Sequence, residues 1–153
     1  MAVESVELLP SLYEQDETAW LDAMAELARE GRAEDLDLVH LAEYLSDMAR
    51  RDRREVESRL VVLLMHILKW THQPEKRSRS WKATIVEQRQ ELEGELAERG
   101  VLRRHAEAVL AKVYDKAVER AAAETGLSAE VFPVECPYTL EQLLGYVPLE
   151  EDR

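Results

Sequence analysis

The sequence predicts an all-α fold: one helical bundle of about five main helices plus a short C-terminal one, built around a nearly fully buried third helix. Three observations carry that expectation. Only five glycines and five prolines occur in 153 residues, which leaves long stretches without a helix breaker. Apolar residues return every three or four positions through most of the chain, the spacing of one helix face. Capping residues stand where several of those periodic stretches begin and end.

Residues 1–12 read as a mobile lead-in ending at Pro10. Asp16 then caps a first helix to about Glu30, with Gly31 as its stop and Trp20, Leu21, Met24, Leu27 and Ala28 on the inner face. Asp37 caps a second, with Leu38, Leu41, Ala42, Leu45 and Met48 inward. A break or bend is expected near Arg50 to Asp52, where the apolar pattern lapses into a run of arginines around Asp52. The third helix, about Asp52 to Thr71, is apolar almost all round between Leu60 and Leu68, so neighbours should cover it on most sides, and Pro74 ends it. A fourth begins near Ser78 or Ser80 and runs to about Arg99, with Trp81, Ile85, Leu92 and Leu96 inward and Gly100 closing it. Gly94 weakens it locally by about 1 kcal/mol relative to alanine. The fifth, about Val101 to Glu124, carries the stripe Leu102, Ala106, Val109, Leu110, Val113, Ala117 and Ala121, with Gly126 as its cap. Pro133 and Pro137 require extended chain around them, and Thr139 to Gln142 has capping-box spacing for a short helix through Leu144. Residues 13–147 thus read as one domain, followed by a tail over 148–153, with antiparallel neighbours among the third to fifth helices.

Composition bounds the function. At 46% hydrophobic and 34% charged, the chain is too apolar for disorder and too charged for a membrane protein. The run from Leu60 to Leu68, interrupted by His66, is far below the roughly 20 residues of a membrane span. Acids stand where a signal peptide needs bases, and a lone cysteine suits a reducing compartment, so a cytoplasmic protein is expected.

Charge is segregated. Residues 50–89 hold 11 Lys/Arg against 5 Asp/Glu, a net +6, while the remainder holds 9 against 27, a net −18, within an overall −12. The basic middle suggests an anion or nucleic-acid site with Trp70 and Trp81 as stacking platforms. Pairing of these bases with the chain's own acidic helices is the favoured reading, because a pI near 4.8 is far from that of nucleic-acid binders.

The segment Glu57 to Trp70, the following Gln73-Pro74-Glu75-Lys76-Arg77-Ser78-Arg79-Ser80-Trp81, the early Leu12 to Asp16 and Ala19-Trp20-Leu21, and the late Phe132-Pro133, Cys136-Pro137-Tyr138-Thr139 together resemble the bacterial DUF29 family, in order from about Leu12 to Leu144. The resemblance implies a small all-helical protein of undefined biochemical role, with no catalytic residues to carry over. Where the family has a Gly-x-Ser break before its third helix, this chain has Ala49-Arg50-Arg51, which favours a more continuous second and third helix.

Glu55, Arg59, His66 and Trp70 fall on or near one stripe of the third helix. Either they form a pocket for a small anion, with Arg59, Arg77 and Arg79 as donors, His66 as a proton-responsive group and Trp70 and Trp81 beside them, or they form a polar network fixing the third helix to the fourth. The network is favoured. Asp37, His40, Glu43 and Asp47 share a helix face, but paired Glu-x-x-His signatures are lacking, so neither a metal nor another cofactor is expected. Cys136 has no neighbouring base to activate it. What remains is a non-catalytic interaction protein, with a protein partner or a second copy of the chain as its target; nucleic-acid binding and an unrecognised hydrolase or nuclease are the lesser readings.

Overall fold

A computed structural model describes residues 6–150, and no strand occurs among the described residues. The chain forms two compact units, one up to Arg50 and one from Arg51 onward.

In the first unit a 3-10 turn over Val6–Leu8 leads into α1 (Leu9–Gln15), α2 (Glu17–Arg29) and a 3-10 turn over Ala33–Asp35, and α3 (Leu38–His72) begins there. Of the expected lead-in, residues 1–5 lie outside the described residues, while residues 6–12 are helical and bury Leu9. Pro10 does not stop the chain: it sits in the first turn of α1, where its missing N–H costs nothing. Asp16 caps α2 by accepting from the Ala19 N–H at 3.0 Å, and Gly31 ends the segment at φ 70°, a left-handed conformation that glycine alone adopts freely.

Trp20 is the anchor of this unit. Its ring is fully buried with Ala23, Met24 and Leu27, and it meets Tyr13 edge-on at 4.8 Å between centroids. Its indole Nε1 donates to Asp37 Oδ2 at 3.1 Å, and the same oxygen lies 2.8 Å from His40 Nδ1. Burial alone would raise the Asp37 pKa, but the hydrogen bonds from His40 and Trp20 more than reverse this and hold it below its ordinary 3.8. A carboxylate depressed on folding adds stability that is present above its unfolded pKa and lost as pH falls through the folded one. The urea midpoint of wild type should therefore exceed that of Asp37→Asn at neutral pH, and the gap should close below pH 3.8. A gap that stays constant across that window would exclude the linkage.

Two expectations fail in this region. Leu38, Ala42 and Leu45 do not point inward: all three are exposed, Leu38 and Leu45 at 63% and 58%, because α3 packs here through Leu41 and Tyr44, and Ala28 of α2 is exposed as well. The apolar residues of this stretch cover a wider arc than the face that finds a partner. The break near Arg50 is also missing, since α3 runs unbroken from Leu38 to His72. Arginine is a strong helix former, and Arg50 pairs with Asp47 one turn back at 2.9 Å, so the helix persists where its apolar pattern does not. The continuity expected at Ala49-Arg50-Arg51 is what α3 shows.

The second unit is built on the rest of α3, where Val56, Leu60, Leu63, Leu64, Ile67 and Leu68 are essentially inaccessible. After a 3-10 turn over Pro74–Lys76, α4 (Arg79–Glu95) starts behind Ser78, whose hydroxyl accepts from the Trp81 N–H at 3.2 Å. Contacts of Arg59 with Glu95 and of Lys69 with Trp81 make α4 antiparallel to α3. The helix α5 (Val101–Thr125) runs with α3, as Glu57 faces His105 and Lys69 faces Glu124. α4 ends before the expected Arg99, because Leu96 leaves the helix at ψ 103° and turns its side chain into the core. Gly126, at φ 74°, caps α5. The final helix α6 (Leu140–Leu144) carries the full capping box: Thr139 Oγ1 accepts from the Gln142 N–H at 3.2 Å, and Gln142 Oε1 accepts from the Thr139 N–H at 2.9 Å.

Candidate functional site

The stripe on α3 is occupied by the protein itself. Arg59 donates from Nε to Glu95 at 2.9 Å, from Nη2 to Glu55 at 2.9 Å and from Nη1 to Gln88 at 3.3 Å, with Glu91 at 3.7 Å. One guanidinium thus serves three carboxylates, and burial together with the Glu55 charge pushes the Glu95 pKa up despite Arg59. His66 Nδ1–H donates to the Val62 carbonyl at 2.8 Å, and burial lowers the pKa of the ring.

At the end of α3 the remaining predicted residues separate into two groups. Trp70 Nε1 donates to the Leu149 carbonyl at 2.9 Å, and Arg77 stacks its guanidinium 4.9 Å from the Trp70 ring. Arg77 also donates to the carbonyls of Trp70, at 2.8 Å, and of Glu150, so this pair ties the last described residues to α3. Trp81 lies under the buried Lys69 ammonium, 4.6 Å from its ring centroid, and Lys69 reaches Glu124 of α5 at 2.6 Å. Arg79 stands exposed in the first turn of α4. Arg59 thus belongs to an α3–α4 clamp, whereas Trp70 with Arg77, and Trp81 with Lys69, staple the far end of the unit.

A separate concavity lies along α5. Beyond Gly126, Pro133 and Pro137 hold the chain extended, and this strap is pinned beside α5 by the buried Phe132 and by Tyr114, whose hydroxyl donates to the Pro133 carbonyl at 2.6 Å. Burial raises the Tyr114 pKa to about 12, so the hydroxyl keeps its proton and the bond. Between helix and strap opens a hollow of about 540 Å³ lined by Leu110, Tyr114, Asp115, Val134, Glu135 and Cys136. A second hollow of about 260 Å³ continues from Asp115 and Val134 to Val118 and Glu130, and a third of about 360 Å³ from Glu107 and Leu110 to Arg103 and Glu141. The three form one groove that follows α5 from Arg103 to Val118, roughly 22 Å at 1.5 Å per residue.

Its electrostatics are one-sided. Glu107, Asp115, Glu130, Glu135 and Glu141 line it against Arg103, which lies 3.6 Å from Glu107 and spends its charge there. Its apolar surface includes Leu110, Val118 and a 93% exposed Val134. The Cys136 thiol is raised by burial and stays protonated at neutral pH, a poor state for a nucleophile. No group of three or more His, Cys, Asp or Glu suited to a metal occurs among the described residues. Sequence reasoning missed this groove because its acids are scattered over α5, the strap and α6. Only the proline-held strap, which lays those segments side by side, was visible as a signal.

Fold and groove define an all-α protein with an open acidic cleft, held between its longest C-terminal helix and an extended strap. The chain belongs to the DUF29 family, whose model, described as a domain of unknown function, matches residues 12–146. No curated protein and no solved structure matches the chain.

Proposed function

We propose that this chain is a cytoplasmic, non-catalytic interaction protein that receives a basic, amphipathic segment of a partner protein in the groove along α5. The observation that carries the reading is a set of five groove carboxylates, of which Glu107 alone has an ion-pair partner among the described residues, beside an apolar floor. A lysine- or arginine-bearing segment would neutralise those charges while its apolar face covers Leu110, Val118 and Val134. The roughly 22 Å length suits about four turns of helix. The protonated thiol and the capture of Arg59 by three carboxylates favour binding over catalysis. The cytoplasmic assignment rests on the lone cysteine; no helix among the described residues is long and apolar enough to cross a membrane.

Fluorescence anisotropy with a labelled Lys/Leu amphipathic peptide tests this. Binding should weaken as salt rises and fall at least about tenfold in the double variant Asp115→Lys/Glu135→Lys, a loss of about 1.4 kcal/mol. Equal binding by that variant, or equal binding of a Glu/Leu peptide, would sink the proposal.

A further inference from the structure

A second concavity, of opposite charge, sits between α3 and α5. From α3 come Arg54, Ser58 and Val61, and from α5 come Val113, Lys116 and Arg120, enclosing about 220 Å³. The spacings explain the convergence: 54, 58 and 61 share one face of α3, and 113, 116 and 120 share one face of α5. Val61 and Val113 are buried core residues and make an apolar floor, over which three cations gather.

Those cations are unusual for this chain. Acids outnumber bases 32 to 20, and Arg59 alone draws three carboxylates within 4 Å. Yet among the described residues no carboxylate forms an ion pair with Arg54, Lys116 or Arg120. The one acid at the pocket, Glu57, is 3.6 Å from His105 Nε2. Three like charges around one hollow repel each other, and a dianion entering it would relieve that repulsion and gain charge-assisted hydrogen bonds.

We propose that Arg54, Lys116 and Arg120 form a binding site for the phosphate group of a small phosphorylated metabolite. Two guanidinium forks match phosphate oxygens, the Lys116 ammonium adds a point charge, and the Ser58 hydroxyl lines the same hollow. The valine floor receives part of the carbon skeleton. Half of this pocket comes from the basic middle of the sequence, through Arg54; the other half comes from the acid-rich remainder. It opens on a different stripe of α5 from the acidic groove and stands independently of the peptide-binding proposal.

Thermal denaturation and calorimetry with inorganic phosphate, with ribose 5-phosphate as a compact organic phosphate, and with a short DNA duplex test the site. Both small anions should raise the Tm of wild type and bind saturably at physiological salt, the sugar phosphate more tightly. Arg120→Gln and Arg54→Gln should each weaken binding about tenfold or more. Because both residues are exposed, these variants should fold, and without ligand each should be at least as stable as wild type, since one repelling charge is gone. A ligand-free variant that is clearly destabilised would mean the cations are satisfied internally. Failure of both small anions to bind, or equal binding by wild type and variants, would overturn the site. Tighter binding of the duplex than of ribose 5-phosphate would replace a metabolite pocket with a nucleic-acid surface.

Discussion

Leu64→Ala is expected to destabilise the unit from Arg51 onward by about 3 kcal/mol, within the range for fully buried leucine truncations. Leu64 lies in the stretch of α3 where Leu60, Leu63, Ile67 and Leu68 are also inaccessible, so the vacated space is walled by residues that have neighbours on every side. A segment so enclosed collapses poorly, which keeps the cavity open and the cost high. Leu64→Met conserves volume and should cost under about 1.5 kcal/mol. Urea denaturation followed by far-UV circular dichroism reads both. A Leu64→Ala midpoint matching that of Leu64→Met would mean that α3 is not the enclosed centre of this unit.

Trp20→Ala carries the second large effect, about 3–5 kcal/mol, borne by residues 6–50. The loss has two sources. The buried indole leaves a large void beneath Tyr13 and Tyr44, and Asp37 loses the donor that helps keep its carboxylate ionised while buried. Trp20→Phe separates them: it retains part of the packing but abandons Asp37, and should lose about 1–3 kcal/mol. Hydrogen exchange at the amides of Ala23 to Leu27 localises the effect. Unchanged protection there in Trp20→Ala would contradict the role of the indole as the anchor of this unit.

The all-α class and most helix ends were legible in the sequence because they depend on local chemistry. Asp16, Ser78, Thr139, Gly31, Gly126 and the block at Pro74 act within one turn of themselves, and each does what its residue type allows. Errors came where local rules allowed two outcomes. Pro10 is as compatible with the first turn of a helix as with its end, and an arginine run sustains a helix as readily as it interrupts an apolar pattern. Periodicity puts Leu38 and Leu45 on an apolar face but does not show whether anything lies against it, and both are exposed.

The polar stripe on α3 shows the same boundary. Its presence on one face followed from residue spacing; its partners Gln88, Glu91 and Glu95 depended on where α4 returns. The acidic groove and the Arg54–Lys116–Arg120 pocket were less legible still. Each is assembled from residues tens of positions apart, and no short motif marks such a site.

Cys136 offers a test of partner binding in the groove along α5. It is the only cysteine in the chain and it lines the groove, so a thiol-reactive probe reports from that place alone. The Lys/Leu peptide should slow Cys136 labelling of the wild-type protein in proportion to the fraction bound, and leave the labelling rate of Asp115→Lys/Glu135→Lys unchanged. A peptide that binds the wild-type protein without altering its Cys136 labelling would place the interaction outside the groove.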